Sequence, residues 1–439
     1  MKKIALISLG CAKNLVDSEV MLGHLIQAGY SFVPSIKNAE IIIINTCGFI
    51  SFARKEAEDA IKKALKIKKK KGSICTQIVV TGCYVQRDLK LLKKKFPQVD
   101  DWIGVNDFHK IVQVTQNQPF KPSPHTFLYD HTSPRCLTTP KGWAYIKISE
   151  GCSHRCSFCS IPLIKGLYRS RKIESVVSEA RSLALKGIQE INLISHDSTN
   201  YGQDLGLKNG LKLLLEELAQ IRELKWIRIL YGHPEKIKDE LLESMREEKI
   251  CPYLDLPFQH SHPEIIKLMR RKLDGKQALE LIQKIREKVP GIAIRTSLVV
   301  GFPGEGSREF DHLIKFVKEA KFDHLGVFTY SQERDTPCWK WGDPVSEKEK
   351  LVRLNELMQV QSEISYQGNM KYRNQILDVL IEEVFIEDQR FLAGRSRYQA
   401  PEVDGMVLVE RNDKDYLNTI QKVEISSSDI YDLFGHFTP

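Results

Sequence analysis

The 439-residue sequence contains no apolar run approaching the roughly 20 residues that a membrane-spanning helix needs; its densest stretch, 41–44, is short. An integral membrane protein is therefore not expected. Seven apolar residues near the start end at Cys11 without a small-x-small cleavage pattern, so the opening MKKIALISLGCA does not read as an export signal. Cysteine, at ten residues, is too scarce for a disulfide scaffold in a chain of this length, and its uneven grouping suits a reduced cytosol with metal or redox chemistry. No charge sign dominates: 65 Lys and Arg against 56 Asp and Glu leave +9, which favours an anionic partner but is too diffuse to name nucleic acid. With 42% hydrophobic and 28% charged residues, disordered, collagen-like and fibrous classes are excluded. At about 100–200 residues per domain, the length implies roughly two to four domains.

What is present is a repeated pattern. Residues 1 to about 115 alternate short apolar runs, Gly or Asn turns and amphipathic segments of helical period, which predicts a parallel α/β domain with strands at 3–9, 41–44 and 77–80. Pro119, Pro122, Pro124, Pro134 and Pro140 then break the pattern and mark a linker. From 143 to about 367, β-rich apolar runs at 145–149, 191–194, 226–230, 253–256, 294–300 and 324–329 each precede helical sequence. These six βα units predict an incomplete barrel or a wound sheet, with its site at the C-terminal ends of the strands. Short alternating runs at 376–380 and 406–410, with turns at Gly394 and Gly405, predict a small OB-like β-barrel. The expected division is 1–118, a linker over 119–137, 138–370 and 371–439.

Six of the cysteines fall into two sets. Cys152, Cys156 and Cys159, in EGCSHRCSFCSIP, present three thiolates from one tight loop just past the strand at 145–149. A 4Fe-4S cluster has four irons, so three protein ligands leave one iron open to an exogenous molecule, whereas an electron-transfer cluster usually closes that position. Structural zinc would want a fourth ligand, for which His154 is the near candidate. Cys11, Cys47 and Cys83 are spaced at intervals of 36 residues, one βα unit each, and each follows a predicted strand by two or three residues. On a parallel sheet such loops share one edge, so the three would converge there as a second three-thiolate site. Independent buried thiols are the alternative. Cys75, Cys136, Cys251 and Cys338 lack ligand-like spacing.

CxxxCxxC with an aromatic residue, Phe158, before its last cysteine resembles the signature of the radical S-adenosylmethionine (SAM) superfamily. The resemblance implies a partial β/α barrel in which Cys152, Cys156 and Cys159 hold a 4Fe-4S cluster. The open iron of such a cluster chelates SAM, and its electron yields a 5'-deoxyadenosyl radical. SLVVGFPGE (297–305) resembles the strand-to-loop motif lining the SAM site, where Gly301 and Gly304 would let backbone approach the cofactor; a plain Gly turn is compatible with the same spacing. Ser195, Asp197, Arg295 and Glu305, polar residues near predicted strand ends, join Phe158 and Gly301 as candidate cofactor or substrate contacts. The two cysteine sets, the Pro-rich linker and the terminal barrel together resemble the methylthiotransferase family over nearly the whole chain. Its order is an auxiliary-cluster domain, a radical SAM core and a TRAM domain. The resemblance implies two 4Fe-4S clusters, the auxiliary one on Cys11, Cys47 and Cys83. It also implies one SAM as methyl donor, a second as radical source, and a reductant protein.

That family divides between tRNA adenosine and an aspartate of small-subunit ribosomal protein S-twelve. LISHDSTNYG resembles the LISQDTTxYG of the ribosomal-protein branch rather than the LLGQNVNxYG of the tRNA branch, with His196 where Gln is usual. YGHP (231–234) and GRSRYQAPEVDG (394–405) point the same way. The expected partner is S-twelve, alone or within the small ribosomal subunit; tRNA is less favoured and no membrane partner is expected. Charge agrees, since residues 371–439 hold eight Lys and Arg against thirteen Asp and Glu. An acidic barrel suits a basic ribosomal protein better than tRNA phosphate, although an ordinary solvated acidic surface has the same composition. Seven lysines between Lys62 and Lys71, followed by Lys93, Lys94 and Lys95, form the densest basic patch, either a solvated helix face or a contact for ribosomal RNA. In YSQERDTPC, Asp335 stands where the family more often has Gly, so that loop is expected to differ locally.

Overall fold

A computed structural model describes residues 1–124, 127–412, 414 and 416–438. The chain forms two compact units, the first Met1–Thr138, Lys147–Arg171 and Ser331–Trp339, the second Thr139–Ile146, Lys172–Tyr330 and Lys340–Pro439.

In the first unit, β1 (Lys3–Ser8), β2 (Ser31–Phe32), β3 (Ile41–Thr46), β4 (Gln77–Gly82) and β5 (Asp101–Ile103) make a parallel sheet in the order β2-β1-β3-β4-β5. β3 and β4 read IIIINT and QIVVTG and are buried at every residue, as befits strands covered by helices on both faces. The crossovers are α1 (Ala12–Gln27), α2 (Ser51–Lys69) and α3 (Cys83–Lys95), and α4 (Ile111–Thr115) follows β5. α2 turns Ala57, Ile61 and Ala64 onto Ile42, Ile44, Ile78 and Val80, leaving its lysines on the opposite side. α1 departs from that pattern by burying Lys13, Asn14, Asp17, Ser18 and Glu19. The carboxylate of Glu19 accepts from Arg135 Nη2 at 2.6 Å and from the Thr138 amide at 2.7 Å, while Asp107 accepts from the Ser123 amide at 3.0 Å. The segment expected as a linker is thereby strapped along the first unit; His125 and Thr126 within it lie outside the described residues.

The chain next forms β6 (Trp143–Lys147) and then β7 (Ser149–Glu150), α5 (Ile161–Lys165) and β8 (Arg169–Ser170), with β7 and β8 antiparallel. In the second unit β6 borders β9 (Glu190–Ile194), which continues to β10 (Trp226–Ile229), β11 (Ile250–Asp255), β12 (Ala293–Val300) and β13 (His324–Thr329). These are the six strands expected from sequence, wound in chain order and parallel from β9 to β13. This open sheet is the partial barrel. The long helix Glu347–Met370 leads out of it to β14 (Ile376–Val384), β15 (Phe391–Ser396), β16 (Val407–Glu410), β17 (Ile420–Ser428) and β18 (Leu433–Phe437), which close into a barrel in the order β14-β15-β16-β18-β17. Val379, Ile381, Leu392, Val407, Val409, Val423 and Ile425, at alternate strand positions, fill it. Asp413 and Asp415, two of its thirteen acids, lie outside the described residues. Among the described residues no helix is long and apolar enough to cross a membrane.

Candidate active site

Cys11, Cys47 and Cys83 stand at the C-terminal ends of three adjacent strands, β1, β3 and β4. The register pairs Ser8 with Asn45 and Thr46 with Gly82, so the loops that follow emerge side by side. They pack backbone to backbone because each cysteine has a glycine neighbour. A Cβ on Gly10 would lie 2.7 Å from Cβ of Cys47, and one on Gly48 would lie 2.7 Å from the backbone of Tyr84. Asn14 joins the three loops from inside: Nδ2 donates to Leu9 O at 3.0 Å and to Thr46 O at 3.1 Å, and Oδ1 accepts from Cys83 Sγ at 3.5 Å. Asn45 in turn donates to Asn14 O and to Ser18 Oγ, both at 2.9 Å.

Burial sets the chemistry of these thiols. It pushes Cys47 up to about 11, with the neighbouring Cys11 adding to the rise. It pushes Cys83 up to about 12 against the opposing pull of Lys165. Such groups stay protonated at neutral pH unless positive charge compensates their thiolates, a condition that an iron centre meets. Cys11 caps α1 and Cys83 opens α3, so both stand at helix N-termini. The donor set fits a cluster bound through three thiolates.

Cys152, Cys156 and Cys159 lie between β7 and α5 on a pinned turn. The Cys152 amide donates to Gly166 O at 3.1 Å, the Cys159 amide to Cys156 O at 3.2 Å, and the Tyr168 amide to Ser153 Oγ at 3.2 Å. Phe158 is half-buried within it. A distant segment clasps this turn: the Cys338 amide donates to Ser157 O at 3.0 Å. In the same segment Glu333 accepts from Arg54 and, at 2.8 Å, from Arg87, which also donates to Gly48 O at 2.9 Å. YSQERDTPC thus ties the CxxxCxxC turn to the Cys47 loop. Asp335 there takes φ 66°, the left-handed conformation easiest for Gly and tolerated by Asp, so the backbone does what Gly would do.

The remaining candidates belong to the second unit. Ser195 and Asp197, both buried, follow β9; the Asp197 amide donates to Ser195 Oγ at 2.9 Å, and Thr199 Oγ1 donates to Asp197 Oδ1 at 2.5 Å. His196 between them is half-buried. Gly301 and Glu305 follow β12, and Glu305 Oε1 accepts from the Gly301 amide at 2.9 Å and from Arg353 at 2.7 Å, with His260 Nε2 at 3.2 Å from Oε2. Gly301 has φ 75°, and a Cβ there would lie 2.4 Å from Lys350 Cγ, so Lys350 fills the space a side chain would take. Arg295 sits apart from both pairs. Its guanidinium donates to Asp255 at 3.3 Å and to Asp404, beyond β15 in the terminal barrel, at 3.2 Å. Burial raises the Asp255 carboxyl, with Arg295 opposing.

Family profiles match the chain in three places: an uncharacterized protein family, UPF0004, over 3–104, the radical SAM superfamily over 146–317, and the TRAM domain over 375–437. The chain is 42% identical over 441 residues to the ribosomal protein uS12 methylthiotransferase RimO of Pelobacter propionicus, covering 99% of this chain and 97% of that one. To the RimO of Thermoanaerobacter sp. it is 42% identical over 443 residues, all of both chains. The chain belongs to the RimO family. Its fold is also that of the radical SAM methyltransferase TsrM from Kitasatospora setae, at TM-score 0.55 and 15% identity over 76% of each chain.

Cysteine spacing brought out the two sets in this RimO-family chain, but not what holds them. The signal for the loop packing was present in the Gly-Cys and Cys-Gly pairs of SLGCAKN, NTCGF and TGCYVQ. Glu333 and Arg87 carry no such signal, being 246 residues apart. GRSRYQAPEVDG, read as a mark of the ribosomal-protein branch, is also the seam between core and barrel. Its Arg395 pairs with Glu190 at 2.6 Å, Arg397 donates to Ile250 O at 2.7 Å, and Asp404 accepts from Tyr253 Oη at 2.7 Å.

Proposed function

We propose that this chain is a radical SAM methylthiotransferase that adds a methylthio group to the β-carbon of an aspartate in ribosomal protein uS12, with one SAM as methyl donor and a second as radical source. The observation that carries the reading is the convergence of Cys11, Cys47 and Cys83 in the unit that also holds the CxxxCxxC turn, in a chain 42% identical end to end to RimO enzymes. Two 4Fe-4S clusters fit the two donor sets: when bound, one supplies the electron that cleaves SAM and the other holds the sulfur to be transferred. Cys152, Cys156 and Cys159 would hold the first, leaving one iron open, and Cys11, Cys47 and Cys83 the second.

The chain's own contribution is placement. The hydrogen-bonded turn around Cys152 fixes three thiols, and burial keeps water from Cys83. Ser195, Asp197 and Gly301, at the C-terminal ends of β9 and β12, would frame SAM where parallel folds gather their ligands. Glu305, already engaged by the Gly301 amide and Arg353, would hold that turn in shape, and Arg295 would hold the barrel against the core.

On the substrate side, Glu382 and Asp404 are taken up in pairs with Arg395 and Arg295. Attraction for a basic protein would therefore rest on exposed acids such as Glu383, Glu387 and Glu410. A reductant protein would deliver electrons, and the lysine face of α2 would meet subunit RNA. The test is anaerobic turnover of the reconstituted enzyme with SAM and reductant, offering a uS12 loop peptide and unmodified tRNA in parallel, read by mass spectrometry. Methylthio mass on the peptide aspartate is the expected result. Modification of tRNA alone would overturn the substrate assignment.

A further inference from the structure

In the first unit, Lys147, Asp17, Lys165 and Glu150 form a buried tetrad on elements that also carry both cysteine sets. Lys147 Nζ donates to Asp17 Oδ1 and, at 2.7 Å, to Glu150 Oε2; Lys165 Nζ donates to Asp17 Oδ2 at 3.0 Å and to Glu150 Oε2 at 3.5 Å. No side chain of the four is more than 4% exposed. The rings of Phe108 and Tyr129 lie 5.7 and 5.6 Å from Lys147 Nζ. Asp17 stands on the helix that Cys11 caps, Glu150 stands two residues before Cys152, and Lys165 ends the helix that follows Cys159.

Stability alone does not account for this arrangement. Burying four charges costs solvation that pairing offsets only with good geometry, and apolar side chains of similar volume commonly serve a core as well. What apolar side chains would not supply is fixed charge beside the cysteines. Lys165 is the last residue of a helix whose preceding residue, Ile164, packs on Cys83. In an interior that polarises little, such a charge is screened far less than it would be in water.

We infer that the Lys147–Asp17–Lys165–Glu150 tetrad sets the reduction potential of the cluster held by Cys11, Cys47 and Cys83, its lysines favouring the reduced state and its carboxylates opposing them. The inference rests on the proposed ligand set. All four are positioning residues, acting on the cluster through space rather than binding it. A reduced cluster carries one more negative charge, so a nearby cation raises the potential and a nearby anion lowers it.

The experiment uses the full chain with Cys152, Cys156 and Cys159 replaced by alanine, which isolates the auxiliary cluster. Iron analysis comes first: an iron-free protein overturns the ligand set, and the inference with it. In the iron-loaded protein, the midpoint potential is followed by redox titration with EPR detection. Lys165→Met should move it more negative and Asp17→Asn more positive. The double variant should return towards the parent, and Lys165→Arg should stay near it. Lys147→Met and Glu150→Gln carry the same two signs, so a variant that fails to fold leaves the comparison standing. Shifts of one sign for both charge classes, or an unmoved potential with only a lowered thermal midpoint, would mean that the tetrad is purely structural and would overturn the inference.

Discussion

Arg395 of the C-terminal barrel donates to Glu190, the first residue of β9, at 2.6 Å, with both side chains out of solvent. Arg228 donates to the same carboxylate at 2.8 Å, and Arg395 also reaches Glu382. Burial alone would raise Glu190, but the two guanidinium groups outweigh it and hold the carboxyl low. Glu382, which shares only Arg395, is pushed up by its burial. Glu190→Gln would leave two buried cations short of countercharge and should destabilise the second unit by about 3–5 kcal/mol. Glu382→Gln should cost less. The Trp143 ring lies 5.6 Å from the Arg395 guanidinium, so tryptophan fluorescence in a denaturant titration reports both changes.

Glu305 gives the second unit an acid limit. Its burial would raise the carboxyl, yet His260, the Gly301 amide and Arg353 together hold it below its ordinary value. A carboxylate depressed in the folded state contributes stability that is complete above its unfolded value of about 4.3 and is lost as pH falls through the lower folded one. The wild-type thermal midpoint should therefore fall as pH drops below about 4.3. Glu305→Gln should begin lower at neutral pH and fall less steeply across that window. Parallel curves for the two proteins would refute the assignment.

Gly10→Ala tests the packing of the cysteine loops without removing a ligand. Gly10 has φ 95°, and an added Cβ would come within 2.7 Å of Cys47 Cβ. Gly29 has φ 85° with nothing within 4 Å of an added Cβ, so Gly29→Ala carries backbone strain alone. Each change should cost about 1–2 kcal/mol for the left-handed backbone. Only Gly10→Ala should lower the iron bound when Cys152, Cys156 and Cys159 are alanine. Equal iron in the two variants would show that the close approach is not needed for assembly.

Alanine at Cys11, Cys47 or Cys83 should abolish sulfur insertion into a uS12 peptide while leaving some reductive cleavage of SAM, read as 5'-deoxyadenosine. Alanine at Cys152, Cys156 and Cys159 together should end both. Each set should take about four irons with it. Continued deoxyadenosine release after loss of the CxxxCxxC cysteines would defeat the division of labour between the sets.

Much of this was legible from local signals. IIIINT and QIVVTG announce buried parallel strands by composition, and the 36-residue spacing of Cys11, Cys47 and Cys83 reflects one βα unit each. β2 and β5 escaped because two or three residues carry no periodicity. The polar burial of α1 escaped for a different reason. Asp17 and Glu19 read as surface residues until their partners Lys147 and Arg135 arrive from more than a hundred residues away. Arg295 reads from sequence only as a polar residue near a strand end, because its partner Asp404 lies 109 residues further on.

The lysine run on α2 resolves into two classes. Lys62 and Lys68 are taken up by Asp59 and Asp100, whereas Lys63, Lys66, Lys69, Lys70 and Lys71 are exposed along and just past the helix. Because α2 buries Ala57, Ile61 and Ala64 against the sheet, the exposed class faces away from the cysteine loops' own core. Binding that releases counterions from RNA phosphate weakens with salt roughly in proportion to the number of phosphates neutralised. Replacing Lys63, Lys66 and Lys69 by glutamine should therefore weaken binding to small ribosomal subunits and flatten its salt dependence by about one for each lysine replaced. The kcat/KM for a uS12 loop peptide should stay unchanged, since the peptide carries no RNA. Unchanged subunit binding would make these lysines a solvated face. Loss of peptide turnover as well would place the damage in the auxiliary domain and remove RNA binding as its explanation.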